Sequence, residues 1–193
     1  QQQFASLVSS NPLMYGGFIY FSRNQLVISN TQIFENREQA FGKFLNYPEL
    51  SISDLEQSFD EAPIGISFLP SSQINMSRIL VGDFTLNNAV TAVACSANSS
   101  AYICGIISGE SIENLFHLNL NPTAVFYIVS GGDTVIFSQN LDQLENEKLL
   151  FSSEGITDVT WNGQRYTAMV EEIPSIGSQA VLAIPDGYFQ ASI

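Results

Sequence analysis

The sequence predicts an α+β protein of two successive units. Each is expected to be an antiparallel sheet with helices on one face, and an N-terminal helix precedes the first. Three observations predict this. Two aromatic, β-branched hairpins, at residues 18–29 and 126–137, open the two halves of the chain. Aromatic residues at helical spacing follow the first hairpin, and strand-length apolar runs punctuated by turn residues follow each. A length of 193 residues, 45% hydrophobic and 11% aromatic, suffices for a core in each of two small units.

Residues 1–15 read as the end of a helix, with Phe4, Leu7 and Val8 on one side, broken by Gly16-Gly17. Phe18-Ile19-Tyr20-Phe21 and Leu26-Val27-Ile28-Ser29 then flank a polar turn, Ser22-Arg23-Asn24-Gln25. The same pattern returns as Phe126-Tyr127-Ile128-Val129, Ser130-Gly131-Gly132-Asp133 and Thr134-Val135-Ile136-Phe137. Aligned without gaps, Phe18/Phe126, Ser22/Ser130, Val27/Val135 and Ile28/Ile136 are identical, as two units of one architecture would give.

Residues 31–59 read as helical through Phe34, Phe41, Phe44 and Leu45, with an interruption at Asn46-Tyr47-Pro48. Ser53 followed by Glu56 offers a capping box for the second helix. Strands are expected at 64–69, 79–86, 90–95 and 102–108, the last two around the turn Ala97-Asn98-Ser99-Ser100. A short connecting helix at 111–118 and a boundary at 119–122 close the first unit, giving domains 1–118 and 119–193. In the second unit an acidic helix at 141–148 precedes strands near 149–152, 156–161, 166–171 and 180–184. Asn162-Gly163 is a tight-turn signal, and residues 185–193 read as a tail. Hairpin, helices and then three antiparallel strands is the PAS-like order, and a sheet roofed by helices leaves a pocket suited to a small ligand.

The balance of 6 Lys+Arg against 19 Asp+Glu, a formal charge of −13, repels phosphate backbones, so nucleic acid is not an expected partner. Apolar runs such as 124–129 and 179–184 are strand-length, far short of the ~20 residues that span a bilayer. Gln1-Gln2-Gln3 shows no leader of the charged-then-apolar kind, and the chain is expected to be cut from a longer protein. Cys95 and Cys104 read either as a disulfide across a hairpin, which requires an oxidising compartment, or as two small buried thiols.

Catalysis is not expected. His117 is the only histidine, which removes two-imidazole dyads and multi-histidine metal sites, and no cofactor is implied. A thiol nucleophile served by His117 is the one arrangement left open. The carboxylate pairs Asp60-Glu61 and Glu171-Glu172 read as solvated, since neighbours on a strand face opposite ways. Gly131-Gly132-Asp133 reads as a hairpin turn, and no Walker or dinucleotide glycine loop occurs.

The run 18–30, the helices through Phe59, the hairpin at 124–140 and Trp161-Asn162-Gly163-Gln164-Arg165-Tyr166 together resemble double Cache sensor domains. The likeness is to extracytoplasmic sensors of Gram-positive membrane-bound regulators, some with an AraC-type DNA-binding end and some histidine kinases. It implies a membrane-distal PAS-like unit at about 15–118 and a smaller membrane-proximal one at about 119–185. It further implies flanking membrane helices, a location on the extracellular face of the cell membrane, a homodimer, and a small-molecule ligand in the distal unit. Amino-acid-binding members carry an Arg and aromatic set on the distal helix and following strand. Arg37 and Arg78 here have other flanks, so that set is not matched.

The expected ligand-binding residues are Tyr20, Arg37, Arg78, Asp83 and Tyr102. Tyr20 offers a hydroxyl, Arg37 or Arg78 a partner for an anion, and Asp83 or Tyr102 a partner for a cationic or hydroxylated group. Arg78 and Asp83 differ by an odd number, so on one regular strand at most one would reach the pocket. The bland readings are ordinary sheet packing for the tyrosines and solvated positions for the charges. Two other functions stay open: a surface structural or adhesion module, marked by an exposed apolar patch, and an unrecognised hydrolase.

Overall fold

The computed structural model describes residues 2–78, 82–96, 100–118, 122–130, 133–144 and 149–188, with the side chains of Leu7 and Arg78 excepted. The chain divides into two compact units, Gln1–Ile112 and Glu113–Ile193.

In the first unit α1 (Gln2–Ser10) leads into β1 (Met14–Phe21), which is joined by a turn to β2 (Leu26–Ser29). The helix thus ends six residues before Gly16-Gly17, and those glycines lie inside β1. Gly17 is needed for close approach: a Cβ there would stand 2.8 Å from the Cys104 carbonyl oxygen and 3.1 Å from Phe4 and Val8 of α1, whereas one on Gly16 would meet only the Met76 methyl at 3.8 Å.

The stretch expected to be helical over 31–59, with its interruption at Asn46-Tyr47-Pro48, is broken up further. β3 (Ile33–Phe34) pairs with β2, and α2 (Arg37–Gln39) runs into a wide π turn, Ala40–Phe44, that buries Ala40, Phe41 and Phe44. β4 (Leu45–Asn46) and α3 (Ile52–Asp60) follow. The N-cap of α3 is Ser51 with Asp54, two residues before the Ser53 and Glu56 expected from sequence.

β5 (Gly65–Arg78) and β6 (Gly82–Cys95) form one long hairpin, and β7 (Ala101–Ile107) leads to α4 (Gly109–Leu115). The two strands expected at 79–86 and 90–95 are a single strand carrying a register shift near Ser72 and Ala89. Residues 79–81 and 97–99 of the expected strand and turn lie outside the described residues.

The sheet order is β3-β2-β1-β7-β6-β5-β4. Its inner face carries Phe18, Tyr20, Val27, Val93, Tyr102, Cys104 and Ile106, which pack with Phe41, Phe44, Leu55 and Phe59 from the helical layer. Both thiols are free. Cys104 pairs with Val93, while the Cys95 thiol reaches the Pro63 carbonyl at 3.2 Å, so each points to a different partner.

In the second unit β8 (Val125–Ser130), β9 (Val135–Gln139), β10 (Gly155–Trp161), β11 (Gln164–Ile173) and β12 (Ser178–Pro185) form a sheet ordered β10-β11-β12-β8-β9. This repeats the β5-β6-β7-β1-β2 order of the first sheet. In both, the first strand of the opening hairpin is zipped to the last strand of the unit. Asn162 (φ 49°) and Gly163 (φ 79°) make the tight β10–β11 turn, as both left-handed positions require.

The expected helix at 141–148 is a single 3₁₀ turn, Leu141–Leu144, and 145–148 lie outside the described residues. The expected strand at 149–152 is not a strand. The Gln179 side-chain amide bonds both the N–H (3.0 Å) and the carbonyl (2.9 Å) of Phe151, taking the place of a ladder partner. Among the described residues, cover for this sheet's core comes from Leu141, Leu144 and Leu149–Phe151 rather than from a long helix.

Candidate functional site

Two neighbourhoods of the first unit bring polar side chains together. The first lies along α3. With Ser51 capping the helix, Leu55 and Phe59 fall one turn apart and are buried at 1% and 0% exposure. Glu56 and Asp60, one step further round, therefore run along the border where the helix meets the sheet. Tyr20 of β1 and Tyr102 of β7 are register partners with rings 6.2 Å apart and nearly parallel. The Tyr20 hydroxyl donates to Glu56 Oε1, and the Tyr102 hydroxyl donates to Asp60 Oδ1.

Arg37 completes the first of these contacts. Its Nη1 donates to Glu56 Oε2 and its Nε to Glu38 Oε1 at 3.0 Å. Asn36 caps α2 through the Gln39 N–H at 2.9 Å, which fixes where the arginine emerges. Burial opposes ionisation of Glu56, but the Arg37 ion pair and the Tyr20 hydrogen bond outweigh it, and its carboxyl titrates below the usual range. Burial, and then the Glu56 carboxylate, push the Tyr20 hydroxyl up. For Tyr102 the Asp60 hydrogen bond leads, burial follows, and the hydroxyl is pushed up to about 12.

The second neighbourhood is an open groove of about 510 Å³ at the edge of the helical layer. Lys43 of the π turn, Asn46 of β4, Asn75 and Ser77 of β5, and Asp83 and Thr85 of β6 line it, with Phe84 as its aromatic surface. A second hollow of about 310 Å³ shares Lys43 and Ser77 with it. Asn75 Oδ1 already accepts from Gln73 (3.0 Å) and Thr85 (2.9 Å), so what Asn75 can offer a guest is its NH₂. Among the described residues neither Lys43 nor Asp83 has an ion-pair partner.

The structure thus brings Tyr20, Arg37 and Tyr102 together along α3 and sets Asp83 apart in the groove. Arg78 ends β5 opposite Gly82, and its side chain lies outside the described part. The parity argument for Arg78 and Asp83 fails, because they occupy two strands of a hairpin. Sequence reasoning missed Glu56 and Lys43, and it treated Asp60 as solvated when it accepts the Tyr102 hydroxyl. The signal for both acids was the Ser51-to-Asp54 capping pair, which sets the phase of α3. His117 sits exposed in the turn after α4 with φ 54°, not inside a helix.

No family model matches the sequence, and no curated protein matches it. Solved structures do. The chain aligns over 100% of its length with the extracellular domains of rpHK1S-Z16 and soHK1S-Z6, both assigned as histidine kinases. The first match has 9% identity, a TM-score of 0.55 and 79% of that chain covered; the second has 12%, 0.56 and 78%. The ligand-binding domain of the Pseudomonas fluorescens chemoreceptor CtaA, in complex with L-isoleucine, aligns with 98% of this chain and 77% of its own, at 10% identity and TM-score 0.51. At such identities the likeness is one of fold. The fold of this chain is that of the extracellular sensor domains of histidine kinases and chemoreceptors, the Cache-like fold that its two hairpins resemble.

Proposed function

We propose that the chain is a non-catalytic, extracytoplasmic ligand-sensing domain of a membrane-anchored signalling protein, a sensor kinase or membrane-bound transcription regulator working as a homodimer. The observation that carries the reading is the end-to-end fold match with extracellular sensor domains, an analogy of fold that needs a site to become an argument about function. The groove at Lys43 and Asp83 supplies one. It offers a cation, a carboxylate, amides, hydroxyls and an aromatic surface around a space of small-molecule size.

The mechanism follows from what borders the groove. Lys43 belongs to the π turn that continues α2, and α2 carries the Arg37 that grips Glu56 of α3. A guest that draws Lys43 toward Asp83 favours one placement of the π turn, and with it one placement of α3 against the sheet. Ligand binding is then a shift between two arrangements of the helical layer. No helix among the described residues is long and apolar enough to cross a membrane, so in this reading anchoring falls to segments outside them.

The test is a thermal-shift screen of amino acids, other carboxylates, amines and sugars against the wild type, Lys43→Ala and Asp83→Asn. A ligand at a hundred times its Kd adds about 2.7 kcal/mol to folding. For a chain of this size that moves Tm by several degrees, at roughly 2–4 °C per kcal/mol. The expected result is a compound that stabilises the wild type and loses at least tenfold in affinity in both variants. Compounds that shift all three proteins equally would remove the groove from the reading.

A further inference from the structure

The face of the first sheet that points away from α3 is apolar where a solvated face should alternate. One cross-strand row runs through six strands in continuous register: Ile66, Ala94, Ile103, Ile19, Ile28 and Ile33. Three of the six are open to solvent, Ile66 at 58%, Ile33 at 55% and Ile103 at 48%. The next row toward the chain start contains the facing pair Gly17 and Gly105, on which α1 and Met14 sit. Strands such as Met14–Phe21 and Ala101–Ile107 consequently read apolar at nearly every position, as strands covered on both faces do. Only the glycine row is covered within the unit.

We propose that this isoleucine face is the contact surface between two copies of the chain. Charge selects the occupant. The chain carries −13, yet none of its charged residues falls in this row. A basic partner would be met by acids and an anionic membrane surface by lysines, and the row has neither. A second acidic copy can approach here without placing like charges in contact. A twofold axis also gives each copy something to fill: beside α1 lies a hollow of about 120 Å³ lined by Phe4, Val8, Met14, Ile66, Ile103 and neighbouring small residues, with room for an aliphatic side chain of the partner.

Area sets the strength. Six strands about 4.8 Å apart span roughly 24 Å, and the isoleucine row with the Phe21, Leu26 and Ala101 row beside it, each about two residues deep along the strands, spans roughly 13 Å. That is roughly 300 Å² of flat contact per copy before α1 is counted, well under the ~800 Å² per partner of a stable complex. The free chain should therefore dimerise weakly, with a Kd on the order of 0.1 mM, and tethering to a surface would raise its effective concentration toward that range. This inference gives the homodimer of the sensor reading its contact surface, but a failure of dimerisation would leave the ligand groove standing, and an empty groove would leave this face standing.

Sedimentation velocity from about 5 µM to 1 mM tests it. The wild type should move from monomer toward dimer, more strongly at high salt, because screening relieves the mutual repulsion of two acidic chains. Ile103→Glu and Ile66→Glu should weaken association at least tenfold with little change in Tm. Ile156→Glu, at an exposed isoleucine of the second unit, should associate as the wild type does. Ile103→Thr, which keeps the β-branch, replaces Ile103→Glu if the glutamate variant does not fold. A wild type that stays monomeric at 1 mM, or glutamate variants that dimerise unchanged, overturns the proposal. So does wild type that stays monomeric but sediments with neutral phosphatidylcholine vesicles in a way Ile103→Glu abolishes, because the face would then belong to lipid.

Discussion

Tyr20 and Tyr102 face each other across the β1–β7 ladder, yet their hydroxyls donate to different carboxylates, Glu56 and Asp60, one turn apart on α3. Two adjacent strands thus hold one helix at two successive points. The aromatic rings of Phe18, Tyr20, Phe41, Phe59 and Tyr102 fill the space between, so α3 is fixed by packing at its centre and by hydrogen bonds at its border.

The two bonds differ in environment, and so should their removal. Tyr20→Phe strips a donor from a partly buried carboxylate, a loss of about 1.5–3 kcal/mol for a bond to a charged group. Tyr102→Phe frees Asp60, which is exposed and can turn to water, so about 1 kcal/mol or less is expected. Urea unfolding followed by circular dichroism measures both. Fluorescence of Trp161, the sole tryptophan, follows the second unit and serves as the control. A larger loss for Tyr102→Phe would contradict the assignment.

The same contacts set the pH dependence. The Tyr102 hydroxyl, pushed up to about 12 by Asp60 and then by burial, is raised above its unfolded value of about 10. Its contribution is fully present below pH 10 and is lost as the pH rises through 12. Glu56 is shifted the other way, so its contribution is present above its unfolded value of about 4.3 and is lost as the pH falls through its lower folded value. Urea midpoints at pH 3, 7 and 11.5 should show Tyr102→Phe flattening the alkaline limb alone, and Glu56→Gln flattening the acid limb while also altering the alkaline one, because burial and then Glu56 hold the Tyr20 hydroxyl up. An acid limb changed by Tyr102→Phe, or left intact by Glu56→Gln, would mean that the tyrosines and acids are not paired as described.

Much of this was legible in the residues. The hairpins announced themselves because aromatic and β-branched runs bracket polar turns, and their repetition gave the two-sheet order. The long β5–β6 hairpin did not, because Pro70 and the amide-rich stretch around Gln73 and Asn75 lack strand alternation, and only pairing with each other makes these segments strands. Tyr20 and Arg37 could be named as polar candidates. That they share Glu56 could not, since the meeting depends on the π turn at Ala40–Phe44 and on the phase of α3, both products of tertiary packing.

The capping box separates what sequence suggested from what the fold uses. Ser51 Oγ accepts the Asp54 N–H at 3.1 Å, and Asp54 Oδ2 accepts the Ser51 N–H at 3.2 Å. Ser53 makes only a hydroxyl contact with Ser51 at 3.0 Å. Ser51→Ala should cost about 1 kcal/mol, and Ser53→Ala should stay within about 0.5 kcal/mol of wild type. The reverse order in urea midpoints would move the start of α3 by two residues.

The seat of α1 offers a comparison of two glycines that face each other. On Gly17 a Cβ would meet the Cys104 carbonyl oxygen at 2.8 Å, and that oxygen belongs to the central strand of the sheet and cannot retreat. On Gly105 a Cβ would meet the Met14 terminal methyl at 2.7 Å, the far end of a flexible side chain that can swing away. Gly17→Ala is therefore expected to cost about 1–3 kcal/mol, as overpacking against fixed neighbours does. Gly105→Ala should cost less, because Met14 can move aside, so that the roughly 0.4–1 kcal/mol which both variants gain from a less flexible unfolded chain is not outweighed there. Hydrogen exchange adds a local reading. Phe4 and Val8 stand 3.1 Å from the new methyl in Gly17→Ala, so the amides of α1 should exchange faster in that variant and near the wild-type rate in Gly105→Ala. Equal acceleration in both would show that α1 is held by something other than its fit over Gly17.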